Sequence, residues 1–172
     1  MSMYKLIVPK QAVGASLVYF DMFNAANSPH KVEVLSVLPI VSGAVAVTGT
    51  LAVDLFLTRT TAVGTGGTAA VAESTSLTAA SFVHLNGTQP MDVTYLTARL
   101  TPSGGATAGA VLAFRSIFTE ETNAGTYTPS EDMVRQGCIV VNPGSGIRVV
   151  QGSVASVGNI AFSVVFRRTQ NH

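Results

Sequence analysis

Residues 159–168 read "NIAFSVVFRR". Ile160, Phe162, Val164 and Phe166 fall on one side of an extended chain, and Asn159, Ala161, Ser163, Val165 and Arg167 on the other. A period of two is the repeat of a β-strand, whose successive side chains point to opposite faces. The segment reads as a half-buried strand of an antiparallel sheet, its four large apolar residues turned to a core.

Outward from it the same alternation recurs. "AVDLFLTRT" (52–60) sets Val53, Leu55 and Leu57 against Asp54, Phe56 and Thr58, and "HKVEVLSV" (30–37) sets Val32, Val34 and Ser36 against Glu33, Leu35 and Val37. "MDVTYLTARL" (91–100) opposes Met91, Val93, Tyr95, Thr97 and Arg99 to Asp92, Thr94, Leu96, Ala98 and Leu100. Turn signals separate the runs: "ANSPH" (26–30), "NGTQP" (86–90), "TPSGGATAG" (101–109), "NAGTYTPSED" (123–132) and "NPGSG" (142–146). In the last, Pro143 and Gly144 suit the central pair of a type II turn, glycine supplying the positive φ. About ten short strands at this spacing predict an all-β fold with very little helix, an antiparallel β-sandwich or a barrel. Single helical turns are expected at residues 69–73 and 130–136. Residues 16–172 read as one sandwich domain, preceded at residues 1–15 by an N-terminal arm or edge strand, because Pro9 and Gly14 interrupt the strand pattern.

The chain has 172 residues, 47% of them hydrophobic and 11% charged, with mean hydropathy +0.41 and a formal net charge of +1. Roughly 25% charged residues is usual for a soluble protein. So little charge predicts a homo-oligomer in which other subunits cover part of the β-surface. Lys and Arg are scattered apart from Arg167 and Arg168, which gives no electrostatic footprint for nucleic acid. Residues 34–53 form an uncharged run of membrane-spanning length, but Pro39, Gly43 and Gly49 interrupt it and no Lys or Arg cluster flanks it. It reads as two strands joined through Ser42 and Gly43, and no membrane partner is expected. At the N-terminus Lys5, Pro9 and Lys10 break any apolar core of a signal peptide.

The stretch "AVGTGGTAAVAEST" (62–75) raises the question of chemistry, because Gly64, Gly66 and Ala69 match the dinucleotide-binding pattern G-x-G-x-x-[GA] behind a strand. That pattern works when a long helix follows and aims its N-terminal amides at a pyrophosphate. Here "STSLTAASFVHLNG" (74–87) follows, Ser/Thr-rich and then strand-like, so the run reads as a flexible, solvated loop. His30, His84 and His172 are too dispersed to suggest a metal site, and the single Cys138 reads as a small buried hydrophobe. Ser145 in "GSGIR" lacks a nucleophile elbow. Glu120 and Glu121 are adjacent, so a strand would send them to opposite faces. Asp21, among Tyr19, Phe20 and Phe23, fits a sugar-binding surface or a core strand, and the period-two pattern favours the strand. No catalytic, cofactor-binding or metal-binding residue is assigned, and no cofactor.

The blocks "RTTAVGTGGTAAVAESTSLTAA" (59–80) and "CIVVNPGSGIRVVQGSVASVGNIAFSVVFRRT" (138–169) resemble small all-β structural proteins of tailed-phage virions. In those proteins a glycine-rich loop follows an early strand, a Pro-Gly-x-Gly turn joins two late strands, and the closing strand is strongly apolar. This chain departs from the pattern in having Ser145 where an acid is expected, and in its basic ending "FRRTQNH". The resemblance implies a jelly-roll-like sandwich, usually trimeric, that decorates or cements the capsid of the virion or builds part of its tail or spike, assembled in the host bacterial cytoplasm. Its partners would be itself and the major capsid or other virion proteins, and it would not be an enzyme. The alternative expectation is a receptor- or carbohydrate-binding β-module of a phage tail or spike, with Tyr127 stacked on a sugar. The absence of Trp counts against it.

Overall fold

The structure is a computed structural model that describes residues 2–41, 51–87, 91–105, 107–119 and 131–170. Among these residues there is no helix, and the chain forms two six-stranded sheets packed as an antiparallel sandwich. The strands of the first half are β1 (Met3–Ala12), β2 (Val18–Asn24), β3 (His30–Val41), β4 (Leu51–Thr60), β5 (Thr68–Ala69) and β6 (Val71–Ala72). Those of the second half are β7 (Ser81–His84), β8 (Leu96–Leu100), β9 (Ala108–Thr119), β10 (Ile139–Val141), β11 (Ser145–Gln151) and β12 (Asn159–Gln170).

The first sheet runs β10-β3-β12-β1-β7-β6 and the second β5-β8-β2-β11-β4-β9. The pairing is nested: β1 with β12, β2 with β11, β3 with β10 and β4 with β9, all antiparallel. Successive nested pairs alternate between the sheets. β5 to β8 lie inside the connection from β4 to β9 and extend one margin of each sheet.

The alternation of β12 sets the core: Ile160, Phe162, Val164 and Phe166 are all buried. Phe162 packs against two consecutive residues of the facing sheet, Tyr19 at 5.2 Å and Phe20 at 5.5 Å between ring centroids. Consecutive residues share a face because Val149 pairs with Phe20 and Val150 with Val18, leaving Tyr19 as the extra residue of a β-bulge. The Tyr19 hydroxyl is met inside the core. It donates to Gln151 Oε1 at 2.5 Å, an oxygen that also accepts the Gly14 N–H at 2.9 Å, while the Gln151 amide donates to the Val154 carbonyl at 3.0 Å. Burial pushes the Tyr19 phenol well above its ordinary pKa.

A second bulge corrects the reading of β3. Val34 pairs with Phe166 and Ser36 with Val165, so Leu35 is the extra residue and Val37, not Ser36, enters the core. In residues 91–100 the inward set Leu96, Ala98 and Leu100 is buried, but the strand begins only at Leu96, after a turn closed by the Leu96 N–H on the Val93 carbonyl at 3.1 Å. The Pro143–Gly144 turn forms as expected: Ser145 N–H donates to the Asn142 carbonyl at 3.1 Å and Gly144 has φ 76°. Neither expected helical turn is present among the described residues. Residues 131–136 are irregular, Ser130 lies outside the described residues, and residues 68–72 form β5 and β6. There Ala70 N–H donates to the Ala98 carbonyl of one sheet and Val71 N–H to the Ala80 carbonyl beside the other, so this short segment straps the two sheets together.

Residues 3–12 are neither an arm nor a simple edge strand. Tyr4 to Ile7 lie between β12 and β7, with Leu6 and Val8 fully buried. The apolar alternation of this stretch outweighs its proline. Pro9 sits where the register with β12 shifts between Val8 and Gln11 and β7 has ended, so a missing ladder N–H costs little. Residues 34–41 and 51–53 of the long uncharged run are strand, the Ser42–Gly43 joint lies outside the described residues, and no helix among the described residues is long and apolar enough to cross a membrane. Deleting residues 1–12 is expected to abolish cooperative folding by uncovering Phe166 and Phe82. Near-UV circular dichroism and urea unfolding check this, and a truncated chain that unfolds at the full-length midpoint would contradict it.

Candidate functional site

Asp21, in the middle of β2, pairs across the sheet with Arg99 of β8 on one side and Arg148 of β11 on the other, and Arg148 pairs with Thr58 of β4. These four residues form one row on the outward face of the second sheet, since Phe20 and Met22 take the core positions. Asp21 is nonetheless 1% exposed, because the glycine-rich loop lies over it. Gly64 N–H donates to Oδ2 at 2.7 Å and Arg99 N–H to Oδ1 at 3.1 Å. A Cβ at Gly64 would collide with this carboxylate and with Pro102. The loop is also stitched to the turn after β8, Thr65 N–H to the Gly104 carbonyl at 2.7 Å and Ser103 N–H to the Thr65 carbonyl at 2.9 Å. The Arg99 guanidinium reaches the Gly66 carbonyl at 3.0 Å.

This overturns the reading of residues 62–75 as flexible and solvated throughout. One amide of the loop, the Gly64 N–H, is aimed at an anion, and that anion is a side chain of the protein itself. Burial raises the Asp21 pKa above its ordinary value, and it outweighs the opposing effects of the Gly64 and Arg99 N–H groups and of the Arg99 and Arg148 charges. Arg148 Nε donates to Thr58 Oγ1 at 3.3 Å, which continues the row. Both Asp21 oxygens are engaged, so the arrangement serves to hold a loop.

The other residues weighed from sequence lie apart. His84 stacks on Tyr4 at 4.8 Å, and the His30 carbonyl at the start of β3 accepts Asn24 Nδ2 at 2.8 Å. His172, Glu120, Glu121 and Tyr127 fall outside the described residues. No group of three metal-ligating side chains occurs among the described residues. Cys138 is exposed, not buried, because it lies just before the three-residue strand β10 and takes no inward place in it. Ser145 Oγ donates to the Asn142 carbonyl at 2.8 Å within its turn. Sequence reasoning had noted Asp21 and Gly64 separately and missed their union. A lone acid in an apolar strand and a glycine in a loop are visible signals, but the 43 residues between them hide the contact.

The outward face of the first sheet has a different character. Ile7 of β1 pairs with Ser163, Ser163 with Leu38, and Ala161 with Ile40, while Lys5 pairs with Val165 and with Val83. Ile7 is 42% and Ile40 40% exposed, and Leu38, Ala161, Val165 and Val83 are half-buried. At the end of this apolar field Arg167 pairs with Glu33 across the strands. Antiparallel sheets that face water usually turn polar residues outward, whereas this face turns out a run of apolar ones.

Asp21→Asn is expected to cost about 1–3 kcal/mol, because an amide accepts one of the two N–H groups and sets its own N–H against the other. Urea unfolding measures the loss. A carbon-detected NMR titration should find the native Asp21 carboxyl protonating above the ordinary carboxylate range, and an ordinary value would contradict the burial argument.

No family model, no curated protein and no solved structure matches the chain.

Proposed function

We propose that the chain is a non-enzymatic structural protein of a tailed-phage virion, a jelly-roll sandwich that associates as a trimer and decorates or cements the capsid shell. The observation that carries this reading is the apolar outward face of the first sheet around Ile7, Leu38 and Ile40, which a second protein surface would cover. The nested pairing supports the jelly-roll form, since the orders β1-β12-β3-β10 and β2-β11-β4-β9 follow from rolling up one long antiparallel hairpin. Both blocks that carry the resemblance have structural tasks. Residues 59–80 run from the end of β4 through the loop held by Asp21 to the strap across the sheets, and residues 138–169 supply β10, β11 and most of β12. A formal charge of +1 lets many copies stand side by side on a shell with little mutual repulsion.

Light scattering coupled to size-exclusion chromatography should give a mass of three chains or a multiple of three. Ile7→Lys combined with Ile40→Lys should break that assembly while leaving the circular dichroism of the sandwich intact. The native protein should co-sediment with empty capsids. A monodisperse monomer that ignores capsids would refute the proposal.

A further inference from the structure

The two sheets have four margins, and these are closed unequally. Three end in fragments, β5 and β6 of two residues each and β10 of three. Beyond β10, the exposed flank of β3 is capped by residues 132–133: Val37 N–H donates to Asp132 Oδ1 at 2.9 Å and Met133 N–H to the Val37 carbonyl at 2.9 Å. The fourth margin is β9, a strand of 12 residues that pairs with β4 on one side and, among the described residues, with nothing on the other.

A bare edge presents a row of N–H and C=O groups to any extended chain, and proteins blunt such edges with charge, proline, bulges or shortness. β9 uses little of this. It contains no proline, and its register shifts against β4 fall only at the end near Thr58, so residues 113–119 pair regularly with residues 51–57. Its one charged residue, Arg115, turns into the mouth of the sandwich, where it donates to the Asp132 carbonyl at 3.2 Å and lies 3.8 Å from Glu131. On the outward face Val111 is 59% and Phe114 46% exposed, the latter with its ring 5.0 Å from Phe56. Ser116 beside it is exposed as well.

We propose that β9 pairs antiparallel with β9 of a second copy across a two-fold axis at Ser116, the centre of the regular segment, joining the two second sheets into one. The occupant is a second copy because an antiparallel strand is its own complement about a two-fold axis. The register also sets Arg115 opposite Ile117 of the partner subunit, so the two guanidinium groups are not directly opposed, and each is turned to the Asp132 carbonyl and Glu131 of its own chain. The edge is otherwise uncharged and selects no partner of opposite sign. The pairing is a two-fold contact additional to the trimer proposed above, so together they give a particle of six chains, and it is independent of the phage context.

Single cysteines placed in a Cys138→Ser background test it by oxidative cross-linking. At the axis, Ser116→Cys stands about 5 Å from its mate, within disulfide reach. In Phe114→Cys the two copies of the residue are four positions apart, about 13 Å, and out of reach. Rapid dimer formation by Ser116→Cys with slow formation by Phe114→Cys is the expected result. Equal rates, or no cross-link from Ser116→Cys in a folded protein, would assign the edge to another chain or to none and overturn the pairing. Phe114→Lys, which brings charge to the edge, should halve the mass seen by light scattering, and an unchanged mass would equally overturn it. Loss of capsid binding with the cross-link intact counts against the virion role alone.

Discussion

Phe162 lies enclosed between Tyr19 and Phe20, and the approach of the two sheets depends on that contact. β12 contributes a ring to the core at every fourth residue, Phe162 and Phe166, and the facing sheet must fill the space between them. A regular strand supplies one inward residue in two, whereas the bulge in β2 supplies two in succession. The same bulge brings the Tyr19 hydroxyl to Gln151, which ties β2, the end of β11 and the turn at Gly14 into one buried hydrogen-bonded group. Hydrophobic filling and polar satisfaction are thus met by one irregularity.

The sandwich class was legible in the sequence because alternation is a local property. The inward faces of β4 and β12 could be named residue by residue, and the turn at Pro143–Gly144 carried its own chemistry. Reading failed where a non-local register decided the outcome. The bulge at Leu35 inverts the inward face of β3 halfway along, and nothing within "HKVEVLSV" announces it, since the shift is defined only against Val165 and Phe166. The proline in β1 suggested an arm, but its effect depends on where the neighbouring strand ends, and a single strand cannot show that. The short strap of β5 and β6 imitated a helical turn because Ala and Glu favour helix locally, and tertiary pairing overrode that preference.

The candidate site follows the same division. That no helix follows Gly64 to Gly67 was readable, although residues 68–69 and 71–72 form strands and not loop. That an internal carboxylate fills the loop was not, because Asp21 and Gly64 meet through strand order and not through spacing. The apolar outward face of the first sheet was foreshadowed only as an overall shortage of charge, and pairing was needed to locate it between β1, β12 and β3.

The nested pairing also governs how the chain can reach its native state. β1 leaves the ribosome before the other strands of the sandwich and its principal partner, β12, after them, so the pair that closes the first sheet cannot form until every other strand has been made. Contacts between chain ends carry the largest loop-closure entropy and slow folding, and a long, unpaired and apolar β4 would wait meanwhile for β9 and β11. A fold of this order cannot close before its last strand has been made. Until then its exposed strands depend on rapid collapse or on chaperones to avoid pairing with the neighbouring nascent copy.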